Sequence, residues 1–128
     1  MNDHQMIHLI KNKDYTGLEQ LIDSYGSSIL MTIHRILQAP PEQSEWSDVA
    51  NEVFYEIWQK IEAYDPEKSS FITWILLITR SRGIDRKRKL NKAFQQESIE
   101  EYQELAITES PLSEEEFLIW LEELSQVD

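Results

Sequence analysis

Residues 71–92 read FITWILLITRSRGIDRKRKLNK, and this stretch indicates both the secondary structure and the charge distribution of the chain. It contains no Pro and a single Gly, so we expect one helix from Phe71 to about Ala93. The first half of the helix is apolar almost all round, whereas the second half is basic. The helix is therefore expected to begin in the core and to end in solvent.

The basic half of this helix contrasts with the rest of the chain, which is acidic. The chain has 128 residues with 24 acidic and 12 basic side chains, and its net charge is -12. Seven of the 12 basic side chains lie between Arg80 and Lys92, more than the helix macrodipole alone would explain. Residues 97–128 hold eleven acids and no Lys or Arg. The acidic charge thus belongs to that segment, and the positive cluster belongs to the folded part.

Three more segments show apolar residues at helical spacing. They are residues 3–12, 15–37 and 47–63. We expect Ser47 or Asp48 to be the N-cap of the last one. Residues 39–44 include two adjacent prolines and residues 64–70 include Asp-Pro, so both segments should separate helices. The predicted fold is all-α, a compact bundle of about four helices in residues 1–94.

The composition changes after this bundle. Residues 95–112 are polar and acidic and are expected to form a linker. Residues 113–128 are expected to form a short terminal helix with Ser113 as its N-cap. The apolar stripe of that helix would be Phe117, Leu118, Leu121 and Leu124.

Few features suggest catalysis or a cofactor. The chain has no Cys, no Gly-rich phosphate loop and no nucleophile elbow, so we expect neither an enzyme nor a cofactor. His4 and His8 are four residues apart and could share a metal, but no third ligand follows at a familiar spacing. No signal peptide or apolar run of membrane-spanning length is present, which favours the cytoplasm.

Aromatic side chains are concentrated just before the basic helix half. They are Trp46, Trp58, Tyr64, Phe71 and Trp74. Trp58 and Phe71 are expected in the core, whereas Tyr64 and Trp74 flank the loop 64–70 and could stack on unpaired bases. An acidic protein with one basic, aromatic region is suited to touch DNA at a single place after another protein has positioned it.

Three segments together resemble conserved region 2 of bacterial RNA polymerase sigma factors, most closely the extracytoplasmic-function group. They are DVANEVFYEIWQKI (48–61), YDPEKSSFITW (64–74) and RSRGIDRKRK (80–89). The resemblance covers residues 14–92, and the three motifs occur at the separations that the family shows.

The resemblance implies a docking helix and a DNA-binding surface. The helix would dock on the β′ clamp helices of core RNA polymerase, through Asp48, Asn51, Glu52, Tyr55 and Trp58. The loop would capture a base flipped from the non-template strand of the promoter −10 element, and the basic helix would hold the opened DNA. The implied DNA-binding residues are Tyr64, Lys68, Ser69, Ser70, Phe71, Trp74, Arg80, Ser81, Arg82, Arg86, Lys87, Arg88 and Lys89.

The chain departs from the family pattern in several places. Asn51 stands where Gln is usual, Ser69 where Gly is frequent and Ser81 where Asn is frequent, so its promoter preference is expected to differ. Family members carry a second helical domain, region 4, and residues 113–128 resemble only its beginning. We therefore expect a shortened chain. An anti-sigma factor is a further partner that the resemblance implies.

Two other interpretations stay open at this point. The chain could be a sigma-like acidic adaptor that binds polymerase or a regulatory protein without recognising DNA. It could also be a generic acidic bundle with one basic helix end. The concentration of cations between Arg80 and Lys89 argues against the adaptor.

Overall fold

The computed structural model describes residues 1–97, with side chains for residues 1–92, and this part of the chain consists of four α-helices and two short 3₁₀ helices. The α-helices are α1 (Asp3–Lys11), α2 (Tyr15–Ile36), α3 (Trp46–Lys60) and α4 (Phe71–Glu97). The 3₁₀ helices are Pro40–Glu45 and Ile61–Ala63. The predicted all-α class and the number of helices are confirmed.

Side chains next to the starts of α1, α2 and α4 supply the caps. Asn2 and Gln5 form a capping box on α1, with Asn2 Oδ1 accepting a hydrogen bond from the Gln5 N–H at 2.8 Å. Asp14 Oδ1 accepts from the Thr16 N–H at 3.0 Å and caps α2. Ser70 Oγ accepts from the Thr73 N–H at 3.3 Å and caps α4.

The start of α3 differs from the prediction of an N-cap at Ser47 or Asp48. The helix begins at Trp46, because the preceding 3₁₀ helix Pro40–Glu45 leads straight into it. The two prolines of this 3₁₀ helix occupy its first turn, where the backbone N–H that proline lacks would have no partner within the helix. Trp46 Nε1 also donates to the Leu37 carbonyl at 2.8 Å, which ties the start of α3 to the end of α2.

The core lies where α2, α3 and α4 meet, and α1 packs across α2. The buried apolar side chains include Leu21, Ile29, Ile33 and Ile36 from α2, Val49, Val53 and Ile57 from α3, and Phe71, Ile75 and Leu76 from α4. Gly26 is buried and does not interrupt α2, whereas the neighbouring apolar residue Ile22 is 40% exposed. Gly83 lets α4 approach Ile36, since a Cβ there would lie 3.0 Å from Ile36 Cδ1.

α4 is longer than its sequence pattern predicts. It continues past Ala93 to Glu97, through the first residues of the expected linker. The remainder of that linker, and the terminal helix expected in residues 113–128, lie outside the described residues. The rigid part that positions the candidate site is thus the α2–α3–α4 packing, with α4 extending from the core into solvent.

Candidate nucleic-acid interface

Some side chains of the basic cluster of α4 face other elements of the fold, whereas others lie on the outer surface. Arg82 and Arg86 are one turn apart and face α3, whereas Lys87 faces the 3₁₀ helix Pro40–Glu45. The outer surface carries the exposed cations Arg88, Lys89 and Lys92. A run of positive charge that is continuous in sequence is therefore divided in space.

Three glutamates surround the two arginines that face α3. Arg86 lies 3.0 Å from Glu45 Oε2 through Nη1 and 2.5 Å from Glu52 Oε1 through Nη2. Arg82 Nη2 lies 2.5 Å from Glu56 Oε1, and Arg82 Nη1 lies 3.9 Å from Glu52 Oε2. This side of the α3–α4 interface is an ionic network of two guanidinium groups and three carboxylates.

Lys87 and Glu42 form a buried ion pair. Lys87 Nζ lies 3.0 Å from both Glu42 carboxylate oxygens and 3.3 Å from the Ile36 carbonyl oxygen. Glu42 Oε1 also accepts a hydrogen bond from the Ala39 N–H at 3.0 Å. Buried charges of this kind need a partner, so the pair joins α4 to the end of α2 and the following 3₁₀ helix.

The outer cations are far more accessible. Lys89 makes one exposed pair with Asp85 at 3.4 Å. Arg88 and Lys92 are exposed and have no ion pair within residues 1–92. A shallow cleft of about 450 Å³ opens beside them, between α4 and the end of α3. It is lined by Lys60, Arg80, Ser81, Arg82 and Arg88, together with Glu56 and Asp85.

Asp65 and Tyr64 organise the loop 64–70. Asp65 Oδ1 accepts a hydrogen bond from the Glu67 N–H at 2.9 Å, and its carbonyl oxygen accepts from the Lys68 N–H at 3.1 Å. The Tyr64 hydroxyl donates to the Ser69 carbonyl at 3.0 Å, across the base of the loop. The loop is thus closed by its own hydrogen bonds before any ligand binds.

An aromatic cluster supports this loop. The ring centroid of Tyr64 lies 5.3 Å from those of both Phe71 and Trp74, and the Phe71 and Trp74 rings are 6.1 Å apart. Phe71 is buried, as predicted, whereas Tyr64 and Trp74 are half-buried against the core. Two rings of the cluster therefore retain accessible surface beside the loop.

Burial raises the pKa of the Tyr64 hydroxyl, and the carboxylates of Asp3 and Asp65 raise it further. Both effects disfavour the phenolate, since a negative charge is poorly solvated there and repelled by its neighbours. Tyr64 therefore remains a hydrogen-bond donor to the Ser69 carbonyl at neutral pH and well above it.

α1 completes this side of the molecule, which sequence reasoning did not predict. A cleft of about 460 Å³ lies between α1 and the loop 64–70. The α1 side chains that line it are Asp3, His4, Ile7, His8 and Lys11, and the opposite wall is formed by Tyr64, Pro66, Ser70 and Phe71. The one available signal was the shared face of His4 and His8, which suggested only a metal.

Comparison with known proteins identifies the architecture. The family model described as sigma-70 region 2 matches residues 21–93, more than half of the chain. The chain belongs to the sigma-70 region 2 family. Two relatives, the extracytoplasmic-function (ECF) RNA polymerase sigma factor SigK of Mycobacterium sp. (strain KMS) and that of strain JLS, are each 25% identical over 93 residues. The ECF RNA polymerase sigma factor RpoE of Cereibacter sphaeroides is 41% identical over 46 residues.

The region 2 match and these relatives confirm the resemblance to the extracytoplasmic-function group. The SigK alignments cover 73% of this chain and 47% of the relative, so the chain spans about half the length of these proteins. The RpoE alignment covers 36% of this chain and 25% of the relative. No solved structure shows a significant match to the chain.

In this region 2 fold the five predicted polymerase-binding residues occupy three different environments. Asp48, Asn51 and Tyr55 are exposed on the outer face of α3. Glu52 points to the ionic network with Arg86 instead. The structure thus brings three of the five candidates together on one open surface.

Trp58, the fifth candidate, is half-buried and packs against the α1–α2 turn. Its ring stacks on Tyr15 at a centroid distance of 5.3 Å, and Lys13 Nζ lies 4.9 Å from its ring centroid. Lys13 Nζ also donates to the Trp58 carbonyl at 2.5 Å. Tyr15 and Lys13 therefore extend the surface of region 2 around α3, and no local pattern in the sequence indicates this contact.

Within residues 1–92, no group of three metal-ligating side chains converges, and His4 and His8 gain no third ligand. The helices that the structure describes include none with the length and apolarity to cross a membrane.

Proposed function

We propose that this chain is the part of a transcription initiation factor that docks on core RNA polymerase through α3 and holds the opened −10 element against α4 and the loop 64–70. The observation that carries the proposal is the family match. Residues 21–93 contain the docking helix, the loop and the basic helix in one continuous region 2 segment. The relatives that match are RNA polymerase sigma factors.

The outer face of α3 supports the docking step. Asp48, Asn51 and Tyr55 are exposed there, and Tyr55, at 61% exposure, is a residue type that is frequent at binding hot spots. The partner on the polymerase would be the β′ clamp helices. An anti-sigma factor would be expected to cover this same face.

The loop and the aromatic cluster support capture of an unpaired base. Tyr64 and Trp74 offer partly accessible rings, and stacking on aromatic rings is how many proteins hold single-stranded bases. The Ser69 carbonyl accepts a hydrogen bond from the Tyr64 hydroxyl at 3.0 Å, so the loop backbone lies at the edge of this ring, where it could read a base edge. The non-template strand would run from this loop along α4.

Opening of the promoter would follow from binding energy. A surface that binds the separated strand shifts DNA towards the open state, so no catalytic group is required. The exposed cations Arg88, Lys89 and Lys92 would contact phosphates, with Arg80 and Arg82 in the adjacent cleft. This module would act in the cytoplasm, together with the polymerase and the promoter.

One observation favours a second candidate, an adaptor that binds polymerase without reading DNA. Arg82, Arg86 and Lys87 are already paired with glutamates, so fewer cations are open to phosphate than the sequence suggests. An adaptor would use the α3 face and leave α4 without a nucleic-acid partner.

The experiment that separates the two candidates measures binding in two steps. The 128-residue chain is first titrated with an isolated β′ clamp-helix fragment, and the complex is then titrated with a single-stranded −10 oligonucleotide at low salt. Clamp binding that creates or strengthens DNA binding supports the initiation factor. Clamp binding without DNA capture supports the adaptor, and no clamp binding contradicts both.

Matched variants test which face docks. Asp48→Arg reverses a charge on the outer face of α3 and should weaken clamp binding while the fold is retained. Asp23→Arg makes the same change at an exposed position of α2 and should bind like the wild type. Equal affinities of the two variants would remove the α3 face from the docking surface.

A further inference from the structure

The cations at the α3–α4 interface differ in their exposure. The Arg82 and Glu52 side chains are 38% and 41% exposed, whereas the Arg86 and Lys87 side chains are 17% and 16% exposed. A solvated ligand can therefore reach Arg82, whereas Arg86 and Lys87 lie largely inside the fold. Lys87 is held inside the fold by its pair with Glu42, whereas Arg82 lies at the boundary with solvent.

Arg82 also lines the cleft beside the exposed cations of α4. A phosphate group held in this cleft near Arg88 would lie next to a guanidinium that Glu56 already occupies at 2.5 Å. Carboxylate and phosphate bind the guanidinium fork in the same planar geometry. Glu56 thus fills the position that a DNA phosphate would take.

We infer that Glu52 and Glu56 are affinity-determining residues for nucleic acid, because they compete internally with DNA phosphate for Arg82. This inference rests on the proposed function, and it means that the DNA-binding surface itself limits how tightly the free chain binds DNA. Phosphate binding at Arg82 requires that a carboxylate be displaced, so the free chain binds DNA more weakly than its local density of cations suggests. The acidic partners are the reason why seven nearby cations need not make this chain a general DNA binder.

The exchange is physically accessible at this site. Arg82 is 38% exposed, and an ion pair with a solvent-facing partner contributes modest net stability, so a phosphate array with several contacts can replace one of its carboxylates. Each arginine touches two glutamates, so it retains one carboxylate when the other is released. A partner that engages Glu52 from the α3 side would likewise leave the guanidinium groups less occupied.

Removal of one competing charge tests the inference. In Glu56→Gln, Arg82 loses its nearest carboxylate, although Gln has the same shape and still accepts a hydrogen bond. Affinity of the 128-residue chain for a single-stranded oligonucleotide should rise roughly two- to fivefold at low salt, the range of an exposed pair. The slope of log affinity against log salt should steepen by about 0.7, as for one additional phosphate contact on a single strand.

The matched control is Glu19→Gln on α2, which changes the net charge equally. Glu19 is exposed and makes no ion pair within the residues that the structure describes. If Glu56→Gln and Glu19→Gln bind DNA equally, general charge accounts for the effect and the inference is overturned. A gain limited to Glu56→Gln supports it.

A double variant shows whether the gain acts through Arg82. Glu56 Oε2 also lies 3.8 Å from Lys60 Nζ, so the comparison is made in a Lys60→Gln background. In that background, adding Arg82→Gln to Glu56→Gln should abolish the gain in affinity and in salt slope, and a gain that persists would contradict the inference. If Glu56→Gln does not fold, Glu52→Gln provides the same test, since each arginine then retains another glutamate. If the wild type and every variant bind no single-stranded DNA with or without the clamp fragment, the proposed function fails as well; DNA binding without a difference between variants overturns the inference alone.

Discussion

At the scale of single residues, Tyr64 combines two features that substitution can separate. Its ring lies in the aromatic cluster with Phe71 and Trp74, and its hydroxyl closes the loop by a hydrogen bond to Ser69. The ring is the part that would stack on a base, whereas the hydroxyl shapes the loop that presents the ring. The two contributions should therefore appear in different measurements.

Tyr64→Phe retains the ring and loses the hydrogen bond. We expect a loss of unfolding free energy of about 1 kcal/mol in denaturant titrations, with only a small change in affinity for a single-stranded −10 oligonucleotide. Tyr64→Ala removes the ring as well and should weaken oligonucleotide binding by about 1–3 kcal/mol, the contribution of one stacked base. Equal DNA affinities of the Phe and Ala variants would exclude stacking at this position.

Tyr25 provides a prediction about pH. Burial raises the pKa of its hydroxyl above the ordinary value of 10.0, and the hydrogen bond to Asp3 together with the Asp3 charge raises it further. Above pH 10.0 the unfolded chain loses this proton while the folded chain retains it, so stability present below that pH is lost as the pH rises. Unfolding free energy should fall less steeply above pH 10.0 in Tyr25→Phe than in the wild type; identical slopes would contradict a folded-state shift.

At the scale of elements, α2 contains two glycines in different surroundings. A Cβ at Gly17 would lie 2.8 Å from Leu9 Cβ and 2.9 Å from the Ile10 backbone N, where α1 crosses α2. At Gly26 the nearest atom outside the local helix backbone would be Ile22 Cγ2 at 3.7 Å, an ordinary contact. The first glycine permits the helix crossing, whereas the second only lowers helix propensity.

We therefore expect opposite effects of the same substitution on α2. Gly26→Ala should raise the unfolding free energy by about 0.5–1 kcal/mol, the usual difference between Gly and Ala in a helix. Gly17→Ala should lower it by about 1–3 kcal/mol, because the α1 backbone must move. Denaturant titrations of the two variants measure both changes in unfolding free energy. A Gly17→Ala variant as stable as the wild type would show that α1 packs loosely on α2.

The junction of α4 with the end of α2 depends on Lys87. Lys87→Met leaves the Glu42 carboxylate buried without its cation and should cost about 3 kcal/mol or more in unfolding free energy. Lys89→Met removes a cation from an exposed pair with Asp85 and should cost less than about 1 kcal/mol. Similar losses in the two variants would mean that burial does not distinguish these lysines.

At the scale of the whole molecule, charge is separated between surfaces. The net charge of -12 repels DNA phosphates. The exposed cations Arg88, Lys89 and Lys92 project from α4, which extends away from the core. Long-range repulsion would favour binding only after another protein has placed this helix on its target. The charge distribution therefore favours binding in a complex over independent binding.

The salt dependence of DNA binding measures how many cations take part. Replacing Arg88, Lys89 and Lys92 together with Gln should reduce the slope of log affinity against log salt by up to about 2, since each contact to a single strand contributes about 0.7. Titrations of the polymerase-fragment complex at several salt concentrations provide the slope. A slope equal to that of the wild type would remove these cations from the DNA-binding surface.

Local sequence patterns were enough to predict the helices, most of the core and the family. Apolar residues at spacings of three and four indicate a buried helix face from local information alone, and Ile29, Ile33 and Ile57, which follow that spacing, are buried. The motifs around the loop 64–70 are also local, so the region 2 resemblance could be recognised without coordinates. The start of α3 was missed because adjacent prolines end an α-helix but can begin a 3₁₀ helix.

Which charges are open to a partner depends on how the helices pack. Arg82, Arg86 and Lys87 pair with glutamates 26, 34 and 45 residues away, and no local pattern encodes contacts at that separation. For the same reason, the contribution of α1 to the cleft beside Tyr64 was not predicted. Helix periodicity states which face is buried, but the charges that meet across an interface depend on how the helices pack.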